Sequence, residues 1–302
     1  MHHVWRAADI TPEVPALYVA HSSGFTFAAT AGRHTGAVHT GFGVSALHPG
    51  GHVAAHVHSC EESFYVLDGE PLLTVDGRTH RLQPGTCGLI PLGAAHAWSA
   101  PGPAGARWLT MTAPAPRLSG PPDTFFTAAE APVADAPPVD VRDPRSRTFF
   151  RLGPTDMSVG DLDAGAAVDD PAVSAGMATA LLTWRGTAVK MLVDQRLGAA
   201  LHTMFMVEYQ PGGMVRSHDH PLEESYYVLA GEVEAEADGE RFTLRAGDAA
   251  WTGVGCIHAF HNTSARAVRW LETSSPQPPS NHSFRFSRDW EYLVGVLPPP
   301  GP

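Results

Sequence analysis

Two histidines one residue apart, His56 and His58, stand ahead of a glutamate, Glu62, in the stretch "HVHSCEE". The chain writes the same pattern again as "HDHPLEE", with His218, His220 and Glu224. A further histidine follows each set at the same distance, His96 in the first and His258 in the second. Imidazole nitrogens with one carboxylate suit a borderline divalent ion: iron(II), manganese, nickel, cobalt, copper or zinc. Four protein donors on an octahedral ion leave two positions for a substrate or dioxygen. Strand geometry can bring the donors together. Residues two apart share a face, so His56 and His58 point one way, Glu62 comes from the next strand, and His96 from a third.

The repetition extends well beyond the ligands. Adding 162 to each number aligns Gly51–Ala100 with Gly213–Asn262 without a gap, and 19 of the fifty positions are identical. The chain is therefore an internal duplication. Two copies are too few for a solenoid, which needs three or more repeats, so a pair of similar domains is expected. The 302 residues suffice for two domains. The boundaries are read as 1–112 for the first domain with an N-terminal arm, 113–190 for a proline-rich connector packed on the domains, 191–275 for the second domain, and 276–302 for a tail. A short helix capped by Asp289 is predicted over "DWEYLVGVL".

Within each copy the local signals are those of strands. "EPLLTVDGRTHRL" and "EVEAEADGERFTL" each set Asp-Gly between alternating runs, the mark of a type I′ hairpin. Thirty glycines and 27 prolines favour many turns over long helices. Small antiparallel β-barrels with little helix follow.

The formal charge of −11 and the lack of a basic run argue against nucleic acid and anionic membrane as partners. Cys60, Cys87 and Cys256 are odd in number and far apart, which suits a reducing cytosol. The opening "MHHVWRAADI" does not read as a signal peptide, and no apolar run has transmembrane length. A cytoplasmic protein is expected, and the proline-rich arms suggest a homodimer.

The spacing of Gly50, His56, His58, Glu62 and Gly69, followed by Gly85, Pro91, Gly93 and His96, resembles the two motifs of the cupin superfamily. The second copy repeats it with Gly212, His218, His220, Glu224 and Gly231, then Gly247, Gly255, His258 and Asn262. It departs at Gly253, where the family usually has proline; the first copy departs at Ala100, where asparagine is usual. Neither departure touches a ligand. The resemblance covers about 100 residues in each half and implies an all-β chain of two tandem cupin (double-stranded β-helix, or jelly-roll) barrels, a bicupin. It further implies a divalent transition metal, one per domain. The expected function is that of a metalloenzyme on a small organic molecule, foremost an oxygen-dependent dioxygenase similar to quercetinases. Glu62 or Glu224 would then ligate and also take a proton from the substrate. The alternatives are a non-redox enzyme (a ureidoglycine aminohydrolase-like hydrolase, a decarboxylase, an isomerase or a cyclase) and a metal-dependent small-molecule binding protein.

Strand parity distinguishes the two sites. Positions two before the first histidine, two after the glutamate, and two to either side of the last histidine should share the inward face if the strands are regular. They are Ala54, Phe64, Ala94 and Trp98 in the first copy, and Arg216, Tyr226, Cys256 and Phe260 in the second. The first pocket reads as small and apolar, suited to an aromatic substrate. The second adds a cation and a phenol, so Arg216 and Tyr226 join Glu62 and Glu224 as candidate catalytic residues, with an anionic substrate in view. Arg216 could equally lean out of the barrel mouth towards a carboxylate such as Glu208 or Glu223. His202 has no motif and reads mainly as an ordinary, partly buried histidine.

Overall fold

The computed structural model describes residues 1–117, 119, 121–128, 135–153, 157, 185–277 and 285–286. Two ten-stranded antiparallel sheets make up nearly all of the regular structure. In the first, the order is Phe149–Arg151, Thr86–Ile90, Glu61–Gly69, Ala106–Ala113, Gly41–His58, His96–Ser99, Leu72–Val75 and Arg78–Arg81. Ser22–Ala31 and Thr124–Phe126 also pair with Gly41–His58. The second sheet repeats this plan with His2–Trp5, Ala249–Thr252, Glu223–Ala230, Val268–Ser275, Thr203–Asp219, His258–His261, Glu232–Ala237 and Glu240–Arg245. Arg185–Val193 and Arg285–Phe286 pair with Thr203–Asp219. These are the two jelly-roll barrels that the repeat implied. Among the described residues no helix is long and apolar enough to cross a membrane.

Local chemistry explains the hairpins. Asp76 and Gly77 have φ of 48° and 76°, and Asp238 and Gly239 have 48° and 84°. Two successive positive φ values make the type I′ turn, whose twist matches that of the flanking strands.

The arms cross over between the two sheets. The strand His2–Trp5 pairs with Ala249–Thr252 of the second sheet, although it begins the chain. The corresponding edge of the first sheet is taken by the connector strand Phe149–Arg151, opposite Thr86–Gly88. The strand Arg185–Val193 starts ahead of the expected boundary at 191 and belongs to the second sheet. The helix expected over "DWEYLVGVL" lies outside the described residues.

Each barrel has its own apolar core, around Phe64, Trp98 and Trp108 in the first and Phe260, Trp270 and Val228 in the second. A third cluster joins the two sheets through Phe42, Leu89, Leu109 and Met111 on one side and Met204, Met206, Trp251 and Leu271 on the other. Polar pins flank this interface. The Glu61 carboxylate accepts from the N–H groups of Ala200 and Leu201 at 2.8 and 2.9 Å. Reciprocally, Glu223 accepts from Val38, His39 and Thr40 at 2.8, 3.1 and 3.0 Å. All three cysteines are buried and free, and burial pushes each thiol up, Cys256 to about 12.

Candidate metal centres

In the first barrel His56 and His58 end the long strand Gly41–His58, Glu62 lies on Glu61–Gly69, and His96 opens His96–Ser99. Register places His56 opposite His96. One ring nitrogen from each of His56, His58 and His96 lies within 4.8 Å of the others, and all three side chains are buried. Glu62 Oε2 is 3.0 Å from His58 Nε2 and 3.6 Å from His96 Nε2. The second barrel reproduces this arrangement. His218 faces His258 across the ladder, the His218, His220 and His258 donors fall within the same 4.8 Å, and Glu224 Oε2 is 2.8 Å from His220 Nε2 and 3.5 Å from His258 Nε2.

Hydrogen bonds behind the rings fix which nitrogen faces inward. His56, His96, His218, His220 and His258 each donate from Nδ1 to a backbone carbonyl, those of Ala54, Ala94, Arg216, Leu222 and Cys256, at 2.7–3.0 Å. A carbonyl only accepts, so Nδ1 carries a proton and Nε2 is the atom turned to the centre; at His220 the Glu224 carboxylate 2.8 Å away raises the ring above its ordinary value. Burial, with His96 and His58 beside it, lowers His56 to about 3. Burial and its neighbouring histidines likewise hold His218 well below its ordinary value. Neutral rings are what a metal requires. His96 Nε2 is buried without a hydrogen bond, a cost that an ion would remove. Burial works to raise Glu62 and Glu224, yet His58 and His96 beside the first and His220 and His258 beside the second hold both carboxyls low. The donor set, tautomers and charge therefore fit one divalent transition metal per domain.

The two centres differ around this shared frame. In the second, Tyr226 donates to Glu224 Oε2 at 2.6 Å and lies 3.3 Å from His258 Nε2. Ser274 donates to Glu224 Oε1 at 3.1 Å. Glu272, buried against Glu224, accepts from Trp270 Nε1 at 2.8 Å. Burial and the Glu224 charge push Glu272 well above the usual carboxylate range. The first barrel has Phe64 and Thr110 at the positions of Tyr226 and Glu272, and Thr110 is bonded to Ser45 at 2.8 Å. Its distinguishing groups come from outside the barrel. Tyr18 stands edge-on to His56 with ring centroids 5.7 Å apart, and Phe126 is 5.5 Å from the same ring. Thr124 meets His58 Nδ1 at 2.8 Å, where the second centre uses a carbonyl.

Two sequence expectations need correction. Arg216 is exposed and lines an outer cleft of about 790 Å³ with Met214, Glu234, Glu236, Arg241 and His261. A β-bulge between Val215 and His218 shifts the alternation, so Val215 and His218 are both buried while Arg216 turns outward. Cys256 does not face the triad; its thiol lies with His2 and Asp238. Sequence reasoning also missed several residues. Tyr18 and Thr124 belong to an arm and a connector with no motif. Glu272 was detectable, because it alternates with the apolar Val268 and Trp270 in "VRWLETSS". His202 is wholly buried, held between Glu61 at 3.1 Å and Ser63.

Comparison with known proteins agrees with this geometry. The cupin domain family matches residues 43–112 and again 205–274. Over 118 residues the chain is 30% identical to Protein SchB of Streptomyces halstedii, covering 37% of this chain and 86% of that one. Over 96 residues it is 32% identical to Polyketide synthase CurC of Streptomyces cyaneus, covering 30% of this chain but only 62% of the relative, less than two thirds of its length. Oxalate decarboxylase from Bacillus subtilis, in its structure at pH 4.6, superposes with a TM-score of 0.60 over 99% of this chain and 83% of its own, at 17% identity. At that identity the likeness shows the fold alone. The chain belongs to the cupin superfamily. With two such domains in tandem it is a bicupin.

Proposed function

We propose that this bicupin is a metal-dependent enzyme acting on a small phenolic or polyketide-like molecule, and that it is an oxygen-dependent dioxygenase whose turnover centre is the second domain. The observation that carries this reading is the contact of Tyr226 with Glu224 at 2.6 Å inside a preformed three-histidine site. His218, His220, His258 and Glu224 would hold the ion, which supplies Lewis acidity and one-electron chemistry when bound. The chain's own residues handle the proton. Glu224 Oε2 accepts it from a substrate hydroxyl, and Tyr226 keeps that oxygen oriented. The buried surroundings exclude water, which strengthens each of these contacts. The Streptomyces relative named for polyketide synthesis supports this substrate class.

Metal-loaded protein with phenolic candidates should consume dioxygen in step with substrate loss. A second reading is favoured by Glu272, a buried carboxyl beside Glu224 that burial and the Glu224 charge push up, which favours its acid form. Such a donor suits non-redox chemistry: cyclisation, isomerisation, decarboxylation or hydrolysis. Full turnover under strict exclusion of oxygen would select this reading over the first.

A further inference from the structure

Among the described residues, the two histidine triads leave one group of metal-type ligands unused. It lies where the N-terminal strand crosses the second barrel. We propose that His2, Asp238 and Cys256 form a third ion site, taking a borderline divalent ion such as zinc or cobalt.

Their donor atoms lie within 4.8 Å of one another, and His2 Nδ1 is 3.8 Å from Asp238 Oδ2. Each residue is placed by backbone bonds. His2 stands opposite Thr252 in the sheet. Asp238 sits in the type I′ turn, donating from its N–H to Ile257 O at 2.8 Å and accepting from Ile257 N–H at Oδ1 at 3.3 Å. Cys256 donates from its N–H to Gly253 O at 3.0 Å. Thiol, imidazole and carboxylate are together the donors of zinc-type sites.

The surroundings suit the assignment. Glu240 lies 3.5 Å from His2 Nε2. A carboxylate at one ring nitrogen fixes the proton there and turns the other nitrogen's lone pair towards an ion, the usual support behind a metal-bound histidine. Phe242 stacks on the His2 ring with centroids 5.6 Å apart and sets its plane. The spot already draws a cation, since the Met1 amino group lies 2.5 Å from Asp238. An incoming ion must displace that ammonium or bind the amine after its proton leaves. Asp238 is 37% exposed, so the site is open to ions from solution. Coordination releases the Cys256 thiol proton to solvent and changes no oxidation state. The duplication did not bring this group along, because the first domain has Asp76 but Ala94 in place of Cys256. Its matching edge carries Phe149–Arg151. An ion here would staple the strand His2–Trp5 to the loop that delivers His258.

Cobalt(II) titration of the metal-free full chain tests the proposal. A cobalt-bound thiolate has a strong near-ultraviolet charge-transfer band that the His-and-Glu centres lack. The wild type should bind three equivalents, and one of them should generate the whole band. Cys256→Ser should lose the band and one equivalent. His2→Ala should keep its circular dichroism and weaken that equivalent about tenfold or more. A His56→Ala, His218→Ala double variant should lose the other two equivalents and keep the band. Saturation of the wild type at two equivalents without the band would overturn the site, as would a band that survives Cys256→Ser.

Discussion

The two barrels hold the same four candidate ligands in similar geometry, yet their interiors differ in polarity. Below Glu62 the first barrel has Phe64, Ile90 and Thr110; below Glu224 the second has Tyr226, Thr252 and Glu272. Phe64 packs edge-on against Trp98, with ring centroids 5.2 Å apart. Tyr226 instead spends its hydroxyl on Glu224 and Thr252. A buried hydroxyl or carboxyl without partners is costly, so the second interior is tolerable only as a connected network. Apolar packing needs no such network. The first domain obtains its polar groups from Tyr18 and Thr124, which come from the arm and the connector and not from the barrel strands. The two copies thus share the candidate ligand frame, while the residues packed around it differ.

The sharpest test of this contrast is paired removal of the carboxylates. Glu224→Gln should lower turnover by ~10²–10⁴-fold, the usual cost of losing a positioned base, and Glu62→Gln should cost clearly less. If Glu62→Gln abolishes turnover while Glu224→Gln spares it, the first barrel is the catalyst and the comparison reverses. Tyr226→Phe keeps the ring but removes the contact to Glu224. It should lower activity or metal affinity by about 10–100-fold, measured by steady-state rates and competitive chelation, whereas Phe64→Leu in the first barrel should leave both nearly unchanged. His96→Ala and His258→Ala should each remove one equivalent of metal by elemental analysis. Because each barrel has its own core, the apo protein should keep its β-rich circular dichroism; cooperative unfolding on chelation would contradict that.

A smaller effect separates the two interface pins. His202→Ala leaves Glu61 and Ser63 short of a partner and should destabilise the chain by ~1–3 kcal/mol in denaturant unfolding. Thr40 occupies the matching place opposite Glu223, and its hydroxyl is buried without a hydrogen bond. Thr40→Val should therefore change stability by less than about 0.5 kcal/mol, or raise it, since the change removes an unsatisfied group at nearly constant shape.

The sequence by itself determined the duplication, the eight candidate ligands, the Asp-Gly hairpins and the barrel class. These rest on short-range rules: two-residue alternation, a turn that demands positive φ, and donor spacing along adjacent strands. It did not determine which face Arg216 takes, because a bulge breaks the alternation on which parity depends. Nor could it bring Tyr18 and Thr124 to the first centre, His202 between Glu61 and Ser63, or His2 to Cys256. Those meetings join residues tens to hundreds of positions apart, through the crossing of an arm, a connector and two sheets. Only the tertiary structure decided them, because no local periodicity encodes where a distant segment docks.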